Sequence, residues 1–335
     1  MDAKLVKLPF QSGRYILANQ TKPTKAQHYV EYFILRCLVA FLQMIPMSWC
    51  EALAHKFSWL INDVLRFREK TIRENLTQVF PEMSAEDQHR LSRKMWHHLF
   101  LMISEIAQAS RKIHDTNWRE YVNIVDKKIM TEYFLGWRPV MMVSGHLGNF
   151  ETALYITGVL GIPTYAVARP LDNPLIDRWL HEFRESRGQF ILPTEGSATD
   201  LQKILDAGAL FSMLGDQHAG NKGCWVDFMG REASCHKAVA LFTLSQDVPM
   251  LVSYAIRDGK PLHLEIGCNA IADPHDLSPE LRDVRALTQW YNQKLEELIR
   301  RSPEQYWWMH RRWKPKPQRA RRKPRAPQTA ESKAA

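Results

Sequence analysis

The chain has 335 residues, of which 45% are hydrophobic, 24% charged and 10% aromatic. That balance excludes collagen-like, low-complexity and wholly disordered chains, and it supports a core of ordinary size without covalent staples. The net charge of +9 belongs to one end: residues 311–335 hold ten basic residues against the single acid Glu331, while the rest is balanced, so the basic character gives no sign of a nucleic-acid-binding face and leaves the tail as a general polyanion contact.

Five cysteines, Cys37, Cys50, Cys224, Cys235 and Cys268, are odd in number and form no CxxC pair. They read as reduced, buried thiols and not as a disulfide framework or a zinc site. Residues 1–28 form an N-terminal extension without the apolar core or small-residue cleavage site of a signal peptide. The first strongly apolar stretch is Tyr29–Trp49, interrupted by Glu31, Arg36 and Gln43 and broken at Pro46. It is too short and too interrupted for a clean span, since about 20 apolar residues are needed to cross hydrocarbon. Three readings remain: an interfacial helix or a marginal membrane anchor, either with Trp49 near the lipid headgroups, or a buried core helix.

Residues 29–135 are assigned to a helical, membrane-associated region, with 50–135 read as helical throughout. Ser84 with Asp87 three residues on marks a helix start. Leu91, Met95, Leu99, Met102, Ile103 and Ile106 then follow a helical period. His97 and His98 lie on this helix without an acidic or thiol partner at ligand spacing, and read as ordinary helix residues. From Arg138 the texture changes. Pro139–Ser144 reads as a buried strand, Glu151–Leu160 as a helix, Thr164–Ala168 as a strand and Asn173–Ser186 as a helix. Phe190–Leu192 (strand), Ser197–Ala207 (helix) and Ala209–Leu214 (strand) continue the alternation. Met250–Ile256 and Leu262–Ile266 flank Asp258-Gly259-Lys260 as a hairpin, and Arg282–Arg300 is the last helix. The alternation predicts an α/β fold over residues 136–314, with a mixed central sheet flanked by helices. Residues 315–335 read as a disordered basic tail.

The sharpest chemical signal is Ser144-Gly145-His146-Leu147-Gly148-Asn149-Phe150-Glu151. It puts a histidine in a glycine-bracketed loop at the end of a central strand, where α/β sheets bind ligands. A carboxylate follows at the start of a helix. Glu151 could hold one ring nitrogen of His146 while the other acts as a base. No G-x-S-x-G elbow supplies a nucleophile, so His146 would activate a substrate hydroxyl directly. The residues alone leave a second reading open, in which His146 caps the helix and Glu151 complements its dipole.

His146-x4-Glu151 within GHLGNFE resembles the motif of the bacterial lipid A biosynthesis (lauroyl/myristoyl) acyltransferases, within the lysophospholipid-type acyltransferases that carry an H-x4-D/E dyad. Further blocks are similar in order and spacing: Ala168–Asp177 (ARPLDNPLID), Gly215-Asp216-Gln217, Trp225–Gly230 (WVDFMG) and Pro303–Lys314 (PEQYWWMHRRWK). The resemblance runs from about Tyr29 to Pro317. It implies a glycerolipid-acyltransferase-like fold and transfer of a fatty acyl chain from acyl-carrier protein, or coenzyme A, to a hydroxyl of a lipid A precursor of the Kdo-lipid IVA type. The place would be the cytoplasmic face of the inner membrane. The partners implied are acyl-carrier protein, the glycolipid acceptor and the membrane surface, with no nucleic acid, no metal and no cofactor beyond the acyl donor. Carried over residue by residue, His146 is the general base and Glu151 its orienter. Arg169, Asn173, Arg178, Arg187 and Asp216 are the candidate acceptor-binding residues, because arginine forks suit phosphate oxygens. Asp227 stands where family members often have proline.

Three lures are set aside. Thr194-Glu195-Gly196-Ser197 superficially resembles a glycerol-phosphate acyltransferase block and reads as a turn with a helix cap. His218, Cys224, Cys235 and His236 fit no zinc spacing. The tryptophans near residue 310 read as packing beside the site. The competing functions are an acyltransferase of this fold with another glycolipid or aminolipid acceptor, and a non-catalytic membrane- or polyanion-binding protein led by the basic tail.

Overall fold

The structure is a computed structural model that describes residues 25–136, 138–193, 203–206 and 208–316. The extension before residue 25, the Thr194–Ser197 turn and the basic tail from 317 lie outside the described residues. Of the helix expected over Ser197–Ala207, only 203–206 are described, and they are helical.

Four helices lead: α1 (Ala26–Met44), α2 (Met47–Trp59), α3 (Glu69–Val79) and α4 (Ala85–Lys112). Pro46 has no amide hydrogen to give and takes the N-cap of α2, so the apolar stretch becomes two helices. Ser84 caps α4 by accepting from the Asp87 amide. The expectation that helix runs to residue 135 is corrected: turns separate these helices, and one strand intervenes. Val122–Ile124 forms β1, at the edge of the sheet and parallel to β9. Three residues are too few to display a strand period.

After α5 (Lys127–Phe134) come β2 (Val140–Ser144), α6 (Phe150–Val159), β3 (Thr164–Ala168), α7 (Pro174–Glu185), β4 (Gln189–Pro193) and β5 (Leu210–Leu214). A separate hairpin, β6 (Cys224–Phe228) with β7 (Arg231–Cys235), precedes α8 (Ala238–Ser245), β8 (Met250–Arg257), β9 (Leu264–Ala272) and α9 (Val284–Arg301). The hairpin and α8 were not expected from the sequence. The seven-stranded sheet has the order β1-β9-β8-β2-β5-β3-β4. Strands β8, β2, β5, β3 and β4 run parallel, and β9 returns antiparallel to β8 through the Asp258-Gly259 turn. The sheet is therefore mixed and flanked by helices, as expected.

The two faces of this sheet pack differently. Met141, Val143, Tyr165, Phe211 and Val252 point to one face and join the main core with Leu287, Tyr291 and Leu295 of α9. On the other face, Ser144, Ala166, Ala168, Ser212 and Ala255 are small and line a cavity beneath α6. The same face also carries Val140, Met142, Leu210 and Leu251, which pack with Leu154 of α6, and Met142 and Leu214 join the small residues in lining the cavity.

Candidate active site

Strands β2 and β5 are neighbours in parallel register, with Ser144 opposite Leu214. Each chain continues two residues past that pair, so the register delivers His146 and Asp216 side by side. Nδ1–H of His146 donates to Asp216 Oδ1 at 2.8 Å, and the His146 amide donates to Asp216 Oδ2 at 3.0 Å. Asp216 is fully buried. Burial alone would raise its proton affinity, but the His146 charge, the two hydrogen bonds from His146 and the Arg312 guanidinium hold it down at about 2. A charged Asp216 fixes the histidine tautomer, with the proton on Nδ1 and none on Nε2.

The expected pairing of Glu151 with His146 is corrected. Asn149 caps α6 by accepting from the Thr152 amide, and this turns Glu151 toward α7. There it accepts from Arg184, whose Nε lies 3.1 Å from Oε2. Both residues line the cavity. The carboxylate five residues downstream thus holds an arginine, and the carboxylate on the neighbouring strand holds the histidine.

The other candidate residues divide. Arg169 lines the cavity, and among the described residues no ion pair involves it. Asn173 does not face the cavity: its Oδ1 accepts from the Leu175 and Ile176 amides as the cap of α7, and its Nδ2 donates to His28 O and Glu31 Oε2 of α1. It is a strut between helices with its hydrogen-bonding capacity used. Arg178 is exposed on α7, and Arg187 stacks over Tyr155 at 5.4 Å. Neither lines the cavity. Arg184, which does, lies on the inward stripe Asp177–His181–Arg184 of the same helix.

The loop carrying His146 is held from several sides. Gly148 has φ +63°, and a Cβ there would stand 1.9 Å from the Ala255 carbonyl, so only glycine fits. The Gly148 amide donates to Gln305 O, the Trp307 amide donates to His146 O, and Leu147 bridges to Tyr306. Phe150, Trp307 and His310 surround the imidazole at ring distances of 5.1–5.4 Å. The Pro303–Lys314 block therefore builds the frame of the site. Below the loop, buried Glu105 of α4 accepts from Arg257 Nε and Nη2 and from Asn149 Nδ2. His98 stands 3.2 Å from the Gly148 carbonyl, with burial and then Arg257 pushing its proton affinity well down. The sequence analysis passed over Glu105 and Arg257 and took His98 as an ordinary helix residue, because a helix period marks Glu105 and His98 only as inward-facing and Arg257 is the last residue of β8.

The structure gives His97 neighbours that the sequence did not. Its ring stacks on His55 at 3.9 Å, and Glu51 offers an oxygen within 4.8 Å of both rings. Burial, then the His55 charge, takes the His97 proton affinity to about 4, so this is a face-to-face pair with a neutral His97.

The cavity measures about 800 Å³, within the range of about 300–1,000 Å³ that buries small ligands. It starts at His146, Gln217 and Arg169 and runs below α6 to Met130 and Phe134 of α5 and to Leu135 just past it. Away from His146 its walls are mainly apolar, with Trp118, Arg119 and Lys127 as the polar end.

Residues 19–315 match the family of bacterial lipid A biosynthesis acyltransferases. The chain belongs to that family. This lipid A acyltransferase homologue is 27% identical over 265 residues to the lipid A biosynthesis lauroyltransferase of Escherichia coli K12, covering 76% of this chain and 82% of that one. It is 24% identical over 299 residues to the lipid A biosynthesis palmitoleoyltransferase of the same strain, covering 87% and 93%. It is 24% identical over 313 residues to a lipid A biosynthesis acyltransferase of Haemophilus influenzae, covering 90% and 97%. The protein is thus an acyltransferase of lipid A biosynthesis. The solved 1-acyl-sn-glycerophosphate acyltransferase of Thermotoga maritima covers 81% of the chain at a TM-score of 0.37 and 12% identity, a likeness too slight to extend the fold description.

Proposed function

We propose that the protein moves a fatty acyl chain from an acyl-carrier-protein thioester to a hydroxyl of a Kdo-bearing lipid A precursor, on the cytoplasmic face of the inner membrane. The observation that carries the reading is the His146–Asp216 pair opening onto a long apolar cavity. Asp216 keeps the proton on Nδ1, so Nε2 takes the proton of the acceptor hydroxyl as its oxygen adds to the thioester carbonyl. The carbon–sulfur bond then breaks, and the imidazolium returns the proton to the departing thiolate. Acyl transfer is thereby one addition and one collapse, with no acyl-enzyme. The apolar cavity below α6 supports the donor assignment, because it accommodates a flexible chain. Arg169 and the Glu151–Arg184 pair stand at the reactive end, where a phosphate-bearing acceptor would need cations.

Membrane contact is assigned to α1 and α2. Phe33, Met44, Trp49 and Trp59 are 68%, 78%, 66% and 52% exposed, and Val30, Ile34, Leu38 and Phe41 continue the stripe. Among the described residues no helix is long and apolar enough to cross a membrane. The arrangement fits a helix pair lying in the interface.

The test is acyl transfer from carrier-protein thioesters of graded chain length to a tetra-acylated, Kdo-bearing acceptor, with products read by mass. Wild type is expected to add one acyl mass, and His146→Ala none. Transfer only to a different glycolipid or aminolipid would replace the acceptor and keep the chemistry. Transfer only from coenzyme A thioesters would replace the donor.

A further inference from the structure

Addition to a thioester puts negative charge on the carbonyl oxygen, and the proposed reaction needs a donor aimed at that oxygen. We propose that the Gln217 side-chain amide supplies this donor and that His310 positions it. The inference rests on the acyl-transfer reading of the His146 site.

The amide nitrogen Nε2 of Gln217 lies 3.0 Å from His310 Nε2. It also lies 3.1 Å from His146 Nε2 and 3.4 Å from His146 Nδ1, so it rests against the imidazole ring and off the axis of the Nε2 lone pair. Asp216 occupies Nδ1 of His146, so that lone pair stays open to substrate. A carboxamide has two N–H groups: one reaches His310, and the other is left beside His146 at the cavity. The arrangement requires His310 to be an acceptor, hence unprotonated. Burial first, and then the neighbouring His146 charge, lowers its proton affinity to about 4. Trp307 stacks on the His310 ring with an interplanar angle of 19° and holds it in place.

The acceptor hydroxyl takes the His146 Nε2 lone pair, and the free N–H of Gln217 then stands beside the reacting carbon. The carbonyl oxygen of a thioester attacked there falls within reach of that hydrogen. The second N–H stays on His310, so the amide cannot rotate its oxygen into the site. Gln217 also lines the cavity directly. It is thus a catalytic residue, and His310, which acts through it, a positioning residue.

The experiment measures kcat and KM for acyl transfer in wild type, Gln217→Ala, Gln217→Met, His310→Phe, His310→Asn and His146→Ala, with thermal unfolding midpoints as the folding control. Gln217→Met keeps the side-chain length and loses both donors. Loss of one such donor costs about 10²–10³ in kcat, so both Gln217 variants are expected to fall by that factor at nearly unchanged KM. His310→Phe keeps an aromatic ring but no acceptor and is expected to lose about tenfold, whereas His310→Asn restores an acceptor and recovers part of the loss. If Gln217 merely occupied the base at rest, its removal would leave kcat equal or higher, and that result overturns the proposal. Equal loss in His310→Phe and His310→Asn would reduce His310 to packing and overturn its half. Full turnover in His146→Ala would instead remove the acyl-transfer reading itself.

Discussion

At the scale of single residues, the decisive question is which carboxylate orients the base. The geometry assigns Asp216 on the adjacent strand and gives Glu151 to Arg184. Asp216→Asn should leave the fold intact while no longer holding Nδ1–H, and about 10²–10⁴ of kcat should go with it, by the tautomer argument known for serine hydrolases. Glu151→Gln should act through Arg184 at the cavity and show chiefly as a rise in KM for the acceptor. Steady-state kinetics of the two variants separate the roles, and a larger kcat loss in Glu151→Gln would reverse them. His146 was legible because its glycine-bracketed loop follows a strand. Asp216 was legible as a candidate acceptor-binding residue but not as the partner of His146, because that pairing spans 70 residues and depends on β5 lying against β2 with β3 and β4 beyond it. No local pattern encodes that neighbour relation, whereas Glu151 sits conspicuously close in sequence.

At the scale of elements, strand and helix signals worked where turn chemistry or period was strong. Asp258-Gly259 announced the β8–β9 hairpin. The β6–β7 hairpin turns instead at Met229 and Gly230, both with positive φ, and a methionine in that conformation gives no advance notice. The α8 segment is apolar all round, so it shows no amphipathic period. The exposed stripe on α1 and α2 was legible as apolar but undecided between core and interface. With Phe33 and Trp49 more than half exposed, their contribution is available to lipid. Burying one such side chain is worth about 1.5–3 kcal/mol, so Phe33→Glu and Trp49→Glu should each weaken partition onto anionic lipid vesicles by about tenfold or more. Vesicle sedimentation measures this, and circular dichroism confirms that the helices persist. Unchanged partition in the double variant would mean that α1 and α2 do not touch lipid.

At the scale of the whole molecule, histidines govern the response to acid. Burial lowers the proton affinity of His97 and His310 to about 4 and that of His98, His181, His218 and His236 below the usual 6.5. Between pH 4 and 6.5 the unfolded chain therefore binds more protons than the native one, and stability falls as pH drops through that window. Asp63 and Asp216, held at about 2, stabilise the native state above pH 4 and lose that contribution only on further acidification. Thermal unfolding at pH 7.5, 5.5 and 4.5 should show the midpoint decreasing at each step. A constant midpoint would mean that these imidazoles protonate in the native state.

The frame around His146 is fastened by a segment that lies far downstream. Gln305, Tyr306 and Trp307 close the loop through backbone contacts with Gly148, Leu147 and His146. A ribosome delivers the histidine well before it delivers those fasteners. The helices and the first parallel strands can assemble while the base still lacks its frame, so catalytic competence is the last property a growing chain acquires. On the proposed reaction, a half-made enzyme would then leave the acyl donor untouched.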